Sequence, residues 1–126
     1  MNCKYKFQFG QMEMTETYAV FTANEGVHID NVEMKEILIV LKENYGENKF
    51  GFIANRINSY SVNPVAVRDL FLHENLVAGA IVSKTKRGKL NSEFERTIIK
   101  EAHTQHFMDV ESAIAWVEEV VSGNFI

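Results

Sequence analysis

Two stretches of this chain concentrate side chains able to hold a ligand or a partner. The first is Arg56-Ile57-Asn58-Ser59-Tyr60-Ser61-Val62-Asn63, which offers a guanidinium, amides, hydroxyls and a phenol. The second is Lys84-Thr85-Lys86-Arg87-Gly88-Lys89, where basic side chains crowd together. Asn63-Pro64 opens a helix: Asn caps, and Pro is favoured at the first helical position because its missing N–H would be unpaired there anyway. A helix N-terminus beside cations suits a phosphate or a carboxylate. Tyr60 is a residue type favoured at interfaces. The candidate binding set is therefore Arg56, Asn58, Ser59, Tyr60, Ser61, Asn63, Lys84, Lys86 and Arg87.

Other chemistry lacks its residues. No glycine-rich phosphate loop and no Gly-x-Ser-x-Gly elbow occurs. His103-Thr-Gln-His106 comes nearest to metal-ligand spacing, but it straddles a helix end and a strand start, so no metal site is expected. His28 and His73 stand alone in the sequence, and Glu118-Glu119 is expected to be solvated. With no nucleophile–base pair to be placed, the expectation is a non-enzyme without cofactors. A formal net charge of −4 argues against general nucleic-acid binding. The single Cys3 forms no internal disulfide, and the apolar run Ile37–Leu41 is far too short to span a bilayer. Nothing at the N-terminus resembles a secretion signal, so a cytoplasmic location is expected.

The elements that must position these residues follow from periodicity. Tyr5 to Met14 alternates apolar and polar and predicts one strand, and Tyr18 to Ala23 predicts a second. A tight turn at Thr15-Glu16 makes them an antiparallel hairpin. Asp30 with Glu33 predicts a capping box, followed by a helix through Met34, Ile37, Leu38, Leu41 and Tyr45 that stops at Gly46. Phe50 to Asn55 reads as a buried strand, and the Pro64 helix carries Val67, Leu70 and Phe71. Leu76 to Val82, apolar on both faces, predicts a central strand whose Ala78, Gly79 and Ala80 let helices approach. Leu90, Phe94 and Ile98 mark a third helix, His106 to Met108 a last strand, and Asp109 the cap of a final helix with Trp116 on its flank. Leu38, Ile53, Ala80 and Ile114 are expected in the core.

The predicted order is β-β-α-β-α-β-α-β-α in one domain over 1–126. That is an α/β fold with a mixed, mostly parallel sheet, an N-terminal antiparallel hairpin and helices on both faces. In such sheets ligands gather beyond the carboxyl ends of the parallel strands. If the strands ending at Asn55 and Val82 are neighbours, both polar stretches converge on that edge, with Tyr60 exposed.

The stretch Phe50 to Lys84, a short buried strand, a Ser-containing loop, a helix and then Leu-Val-Ala-Gly-Ala-Ile-Val-Ser-Lys, resembles the middle of SpoIIAA-like proteins, the superfamily that includes STAS domains. Asn55 to Pro64 is similar to small bacterial STAS/SEC14-type proteins. The resemblance implies a regulatory protein-interaction module, or in some branches a binding domain for a small anionic or lipid-like ligand. Ser59 and Ser61 occupy the loop that is phosphorylated in antagonist members, although Asn58-Ser59-Tyr60-Ser61 lacks the Asp and Gly of their Asp-Ser-Ser-Gly motif. The partner, protein or ligand, stays unidentified, and the oligomeric state stays open, a homodimer included.

Overall fold

A computed structural model describes residues 2–84 and 103–123 of the chain. Its first strands form a meander. β1 (Cys3–Phe7) pairs antiparallel with β2 (Gly10–Met14), and β2 pairs antiparallel with β3 (Tyr18–Ala23). The turn expected at Thr15-Glu16 is held by Thr15, whose N–H donates to the Tyr18 carbonyl at 2.8 Å. The Thr15 hydroxyl oxygen accepts from the Thr17 and Tyr18 N–H groups at 3.2 and 3.1 Å. Here the structure corrects the single strand expected over Tyr5–Met14: Phe7 pairs with Gly10, and Gln8-Phe9 forms a tight turn. Each strand keeps its own alternation, but the apolar positions change phase between Phe9 and Met12, and that slip is the mark of the turn in the sequence. Phe9 gains by the reversal, because it turns inward and packs between Phe7 and Phe21.

From β3 onward the sheet is parallel. β3 pairs with β5 (Phe50–Asn55), β5 with β7 (Leu76–Val82), and β7 with β8 (His103–Phe107). The six strands lie in the order β1-β2-β3-β5-β7-β8. A second, two-stranded sheet pairs β4 (His28–Ile29) in parallel with β6 (Ser61–Val62). Neither short strand shows a periodicity in sequence. The last strand also begins earlier than the expected His106.

Three helices are described. α1 (Asn31–Tyr45) opens on the predicted capping box: Asp30 accepts at its side chain, and its N–H donates to Glu33 Oε1 at 2.8 Å. α2 (Pro64–Phe71) starts at the Asn63 cap, and α3 (Val110–Val121) at the Asp109 cap. α1 and α2 lie over one face of the sheet, closing a core with Met12, Phe21, Phe50 and Phe52. α3 lies on the other, where Val117 and Ala113 meet Ile53, Ala78 and Ala80. The approach is close enough that a Cβ at Gly51 would collide with Val117, and one at Gly79 with Phe71. Helices on both faces of a mixed, mostly parallel sheet are thus observed. The helix expected through Leu90, Phe94 and Ile98 lies outside the described residues. No described helix is long and apolar enough to cross a membrane.

Two expected core positions shift. On α1 the buried face is Met34, Ile37, Val40, Leu41 and Tyr45, with Leu38 half-buried on its flank. On α3 Ala113, Val117 and Val120 face inward, and Ile114 stays half-exposed beside Trp116. Ile53 and Ala80 are buried as expected. A helical stripe is wider than the contact line, and the angle at which the helix meets the sheet selects the central residues.

Candidate functional site

β5 and β7 are adjacent, with Asn55 paired to Val82, so Arg56 and Lys84 follow neighbouring strand ends, and the basic stretch beyond Lys84 lies outside the described residues. The Arg56 N–H donates to the Val82 carbonyl at 2.9 Å. The loop that follows is far from a free recognition loop, because β6 and backbone bonds secure it to the segment after β3. Gly26 N–H donates to the Ser59 carbonyl at 2.6 Å, and the Ser61 and Asn63 N–H groups donate to Val27 and Ile29 at 3.1 and 2.8 Å.

Much of the polar chemistry of the candidate set is spent on this anchoring. Asn58 Nδ2 donates to the Ala23 carbonyl at 3.0 Å, and the Ser59 N–H donates to Glu25 Oε2 at 2.8 Å. Asn63 caps α2 through the Val65 N–H at 2.9 Å and donates from Nδ2 to Asp30 Oδ1 at 2.8 Å. Arg56 Nη2 donates to the Tyr60 carbonyl at 3.1 Å, and its guanidinium sits 4.6 Å from the Tyr60 ring centroid. Ser59, Ser61 and Lys84 are exposed. Lys84 stands near Asp109 at the α3 cap. Lys86 and Arg87 lie outside the described residues.

Tyr60 is the main correction. Expected to be exposed, it is half-buried and packs on the core below α1 and α2. It lines an apolar cavity of about 50 Å³, together with Phe21, Ile37, Ala54, Leu70 and Thr104. Val62 lines it too, so the residues on either side of exposed Ser61 both face the cavity. On β8, half-buried His106 keeps its Nε2 shielded and, among the described residues, without a hydrogen-bond partner. His28, which stands alone in the sequence, meets Ser61 at 2.7 Å. Among the described residues no three His, Cys, Asp or Glu gather as a metal site would require.

Two carboxylates at helix starts are held below the ordinary value of 3.8: Asp30 by the Asn63 side chain, the Asn31 N–H and His28, and Asp109 by Ser112 and the Lys84 charge. A carboxylate whose pKa is lowered on folding binds fewer protons in the native state than in the unfolded one. Its stabilisation is present above the ordinary value and is lost as pH falls through the lowered one. The melting temperature should therefore be flat from neutral pH to about 5 and fall below about 4. In an Asp30→Asn/Asp109→Asn double variant that acid limb should flatten, and an unchanged limb would assign the acid sensitivity to other carboxylates.

Sequence reasoning missed His28, Glu25 and the cavity wall, since each joins the site through contacts with distant parts of the chain. No protein-family model and no curated protein matches the chain. A solved structure does. It is described as an uncharacterized protein of the DUF3478 family with a SpoIIAA-like fold, from Shewanella loihica PV-4. That structure is 13% identical, with a TM-score of 0.59 over 93% of this chain and 95% of that one. Sheet order, helix placement and this match agree that the chain has a SpoIIAA-like fold.

Proposed function

We propose that the protein binds a small amphipathic ligand, with its apolar end in the cavity under Tyr60 and an anionic head near Arg56. The observation that carries this reading is the inward turn of Tyr60. A flat edge with an exposed tyrosine would favour a partner protein, whereas here the ring helps to wall an apolar space. Ligand sites are concave and mostly apolar, with few polar groups to fix orientation. Arg56, stacked on Tyr60 and bonded to its carbonyl, is held where it can meet a carboxylate, which its fork geometry suits. The cavity volume of about 50 Å³ matches a short alkyl chain better than a drug-sized molecule, for which some 300–1,000 Å³ is typical. On this reading the protein is a binding module rather than a catalyst for that ligand. A regulatory interaction with a partner protein rests on the fold likeness, and among the described residues no geometric feature favours it over the ligand.

The test is titration with hexanoate and, as the uncharged comparison, hexanol, followed by NMR shifts of Ala54, Tyr60, Ile81 and Thr104. Saturable shifts at these residues are expected, tighter for the acid. Ala54→Leu, which fills the cavity, should weaken both ligands at least about tenfold, a loss of about 1.4 kcal/mol. Arg56→Gln should weaken hexanoate and leave hexanol unchanged. Shifts that do not saturate, or that map to another face, would refute the proposal.

A further inference from the structure

The β4–β6 pair brings together three side chains that the proposed ligand site does not use. His28 and Ser61 are register partners in that pair, and Ser61 Oγ lies 2.7 Å from His28 Nδ1. The other ring nitrogen, His28 Nε2, is 3.9 Å from Asp30 Oδ2. Asp30 is held in place from a different direction, since its Oδ1 accepts from Asn63 Nδ2 and the Asn31 N–H, each at 2.8 Å. A carboxylate facing Nε2 favours the tautomer with its proton on that nitrogen. The Nδ1 lone pair then points at the Ser61 hydroxyl, the arrangement in which an imidazole takes a proton from a nucleophile.

We propose that Ser61 is a nucleophilic hydroxyl with His28 as its base and Asp30 as the group that positions and stabilises the imidazole, and that it accepts acyl groups from small activated esters. Ser61 Oγ attacks the ester carbonyl carbon, forming a new C–O bond while its proton passes to His28 Nδ1. Collapse of the tetrahedral intermediate breaks the bond to the leaving oxygen, which takes that proton and departs as the alcohol. Water, deprotonated by His28, then releases the acid and restores Ser61. All three side chains are solvent-accessible, so the fitting substrate is compact and unhindered at its carbonyl. This activity is independent of the cavity, because Tyr60 and Val62 face inward on either side of the exposed Ser61.

The test is incubation of the full chain with p-nitrophenyl acetate, reading p-nitrophenolate release and mapping acetylated residues by mass spectrometry. Ser59 is an exposed serine with no histidine partner among the described residues, and it serves as the control within the same molecule. Ser61 should acetylate at least about 100-fold faster than Ser59, the low end of what a positioned base contributes. His28→Ala should lower the Ser61 rate by a similar factor with the circular dichroism spectrum unchanged, and His28→Gln serves if the alanine variant fails to fold. Equal rates at Ser61 and Ser59, acetylation confined to lysines, or a Ser61 rate indifferent to the loss of His28 would overturn the proposal.

Discussion

Phe50→Ala is expected to lower the unfolding free energy by about 3–5 kcal/mol, the range for truncating a buried aromatic. Phe50 is fully buried at the start of β5. Its ring stacks on Tyr45 at the end of α1, with centroids 4.3 Å apart and planes 4° from parallel. The same ring meets His73, just beyond α2, edge-on at 5.4 Å. One side chain therefore joins the sheet to the C-terminal ends of both helices that wall the cavity. Removing it forfeits the buried area and both ring contacts and leaves a void that three separate elements would have to move to fill. Urea denaturation monitored by circular dichroism gives the value. Phe50→Leu, which keeps most of the volume, should cost markedly less. A loss below about 1.5 kcal/mol for the alanine variant would mean that the two helix ends collapse onto the sheet without this ring.

The second large effect belongs to Asn63. Its Oδ1 caps α2 while its Nδ2 bonds the carboxylate that caps α1, so one amide serves the starts of both helices. Loss of an N-cap costs about 0.5–2 kcal/mol, and the bridge to the solvent-exposed Asp30 goes with it. The two share a residue and do not add in full, so Asn63→Ala should fall in the upper part of the cap range, about 1–2 kcal/mol. Asn63→Ser keeps an oxygen for the cap but cannot bridge to Asp30, and its cost isolates the bridge. Asn63→Asp also keeps the cap, and it places a second carboxylate beside Asp30. That variant should be less stable at neutral pH than the serine variant and should recover as pH falls. If serine and alanine cost the same, the cap contributes nothing and the bridge carries the whole effect. The same amide was a candidate for ligand recognition, and its geometry shows it committed to holding the loop.

Several features of this protein were legible in the residues alone because their causes are local. Asp30 with Glu33, Asn63 with Pro64, and Asp109 announce helix starts by satisfying N–H groups within three positions of themselves, and all three caps are present in the structure. The doubly apolar Leu76–Val82 declared a central strand, and the small Gly79 within it does admit Phe71. The likeness to SpoIIAA-like proteins drawn from the middle of the chain agrees with the fold observed.

What only the tertiary structure decided was set by contacts between distant segments. The Gln8-Phe9 turn is marked in the sequence only by a change of phase in the alternation, from odd positions through Phe9 to even ones from Met12, and pairing with β3 fixes where the chain reverses. Ile37 and Leu41 rather than Leu38 hold the centre of α1, because the orientation of the helix on the sheet chooses among neighbouring apolar positions. Tyr60 turns inward next to the β4–β6 pairing and under the Arg56 guanidinium, an arrangement no residue of the loop signals by itself. His28 gains Ser61 by the same pairing, across thirty-three positions. Capping and strand period act over a few residues and are written in composition and spacing. Strand register, helix orientation and the meeting of a base with a hydroxyl are properties of packed surfaces, and they exist only once the sheet has closed.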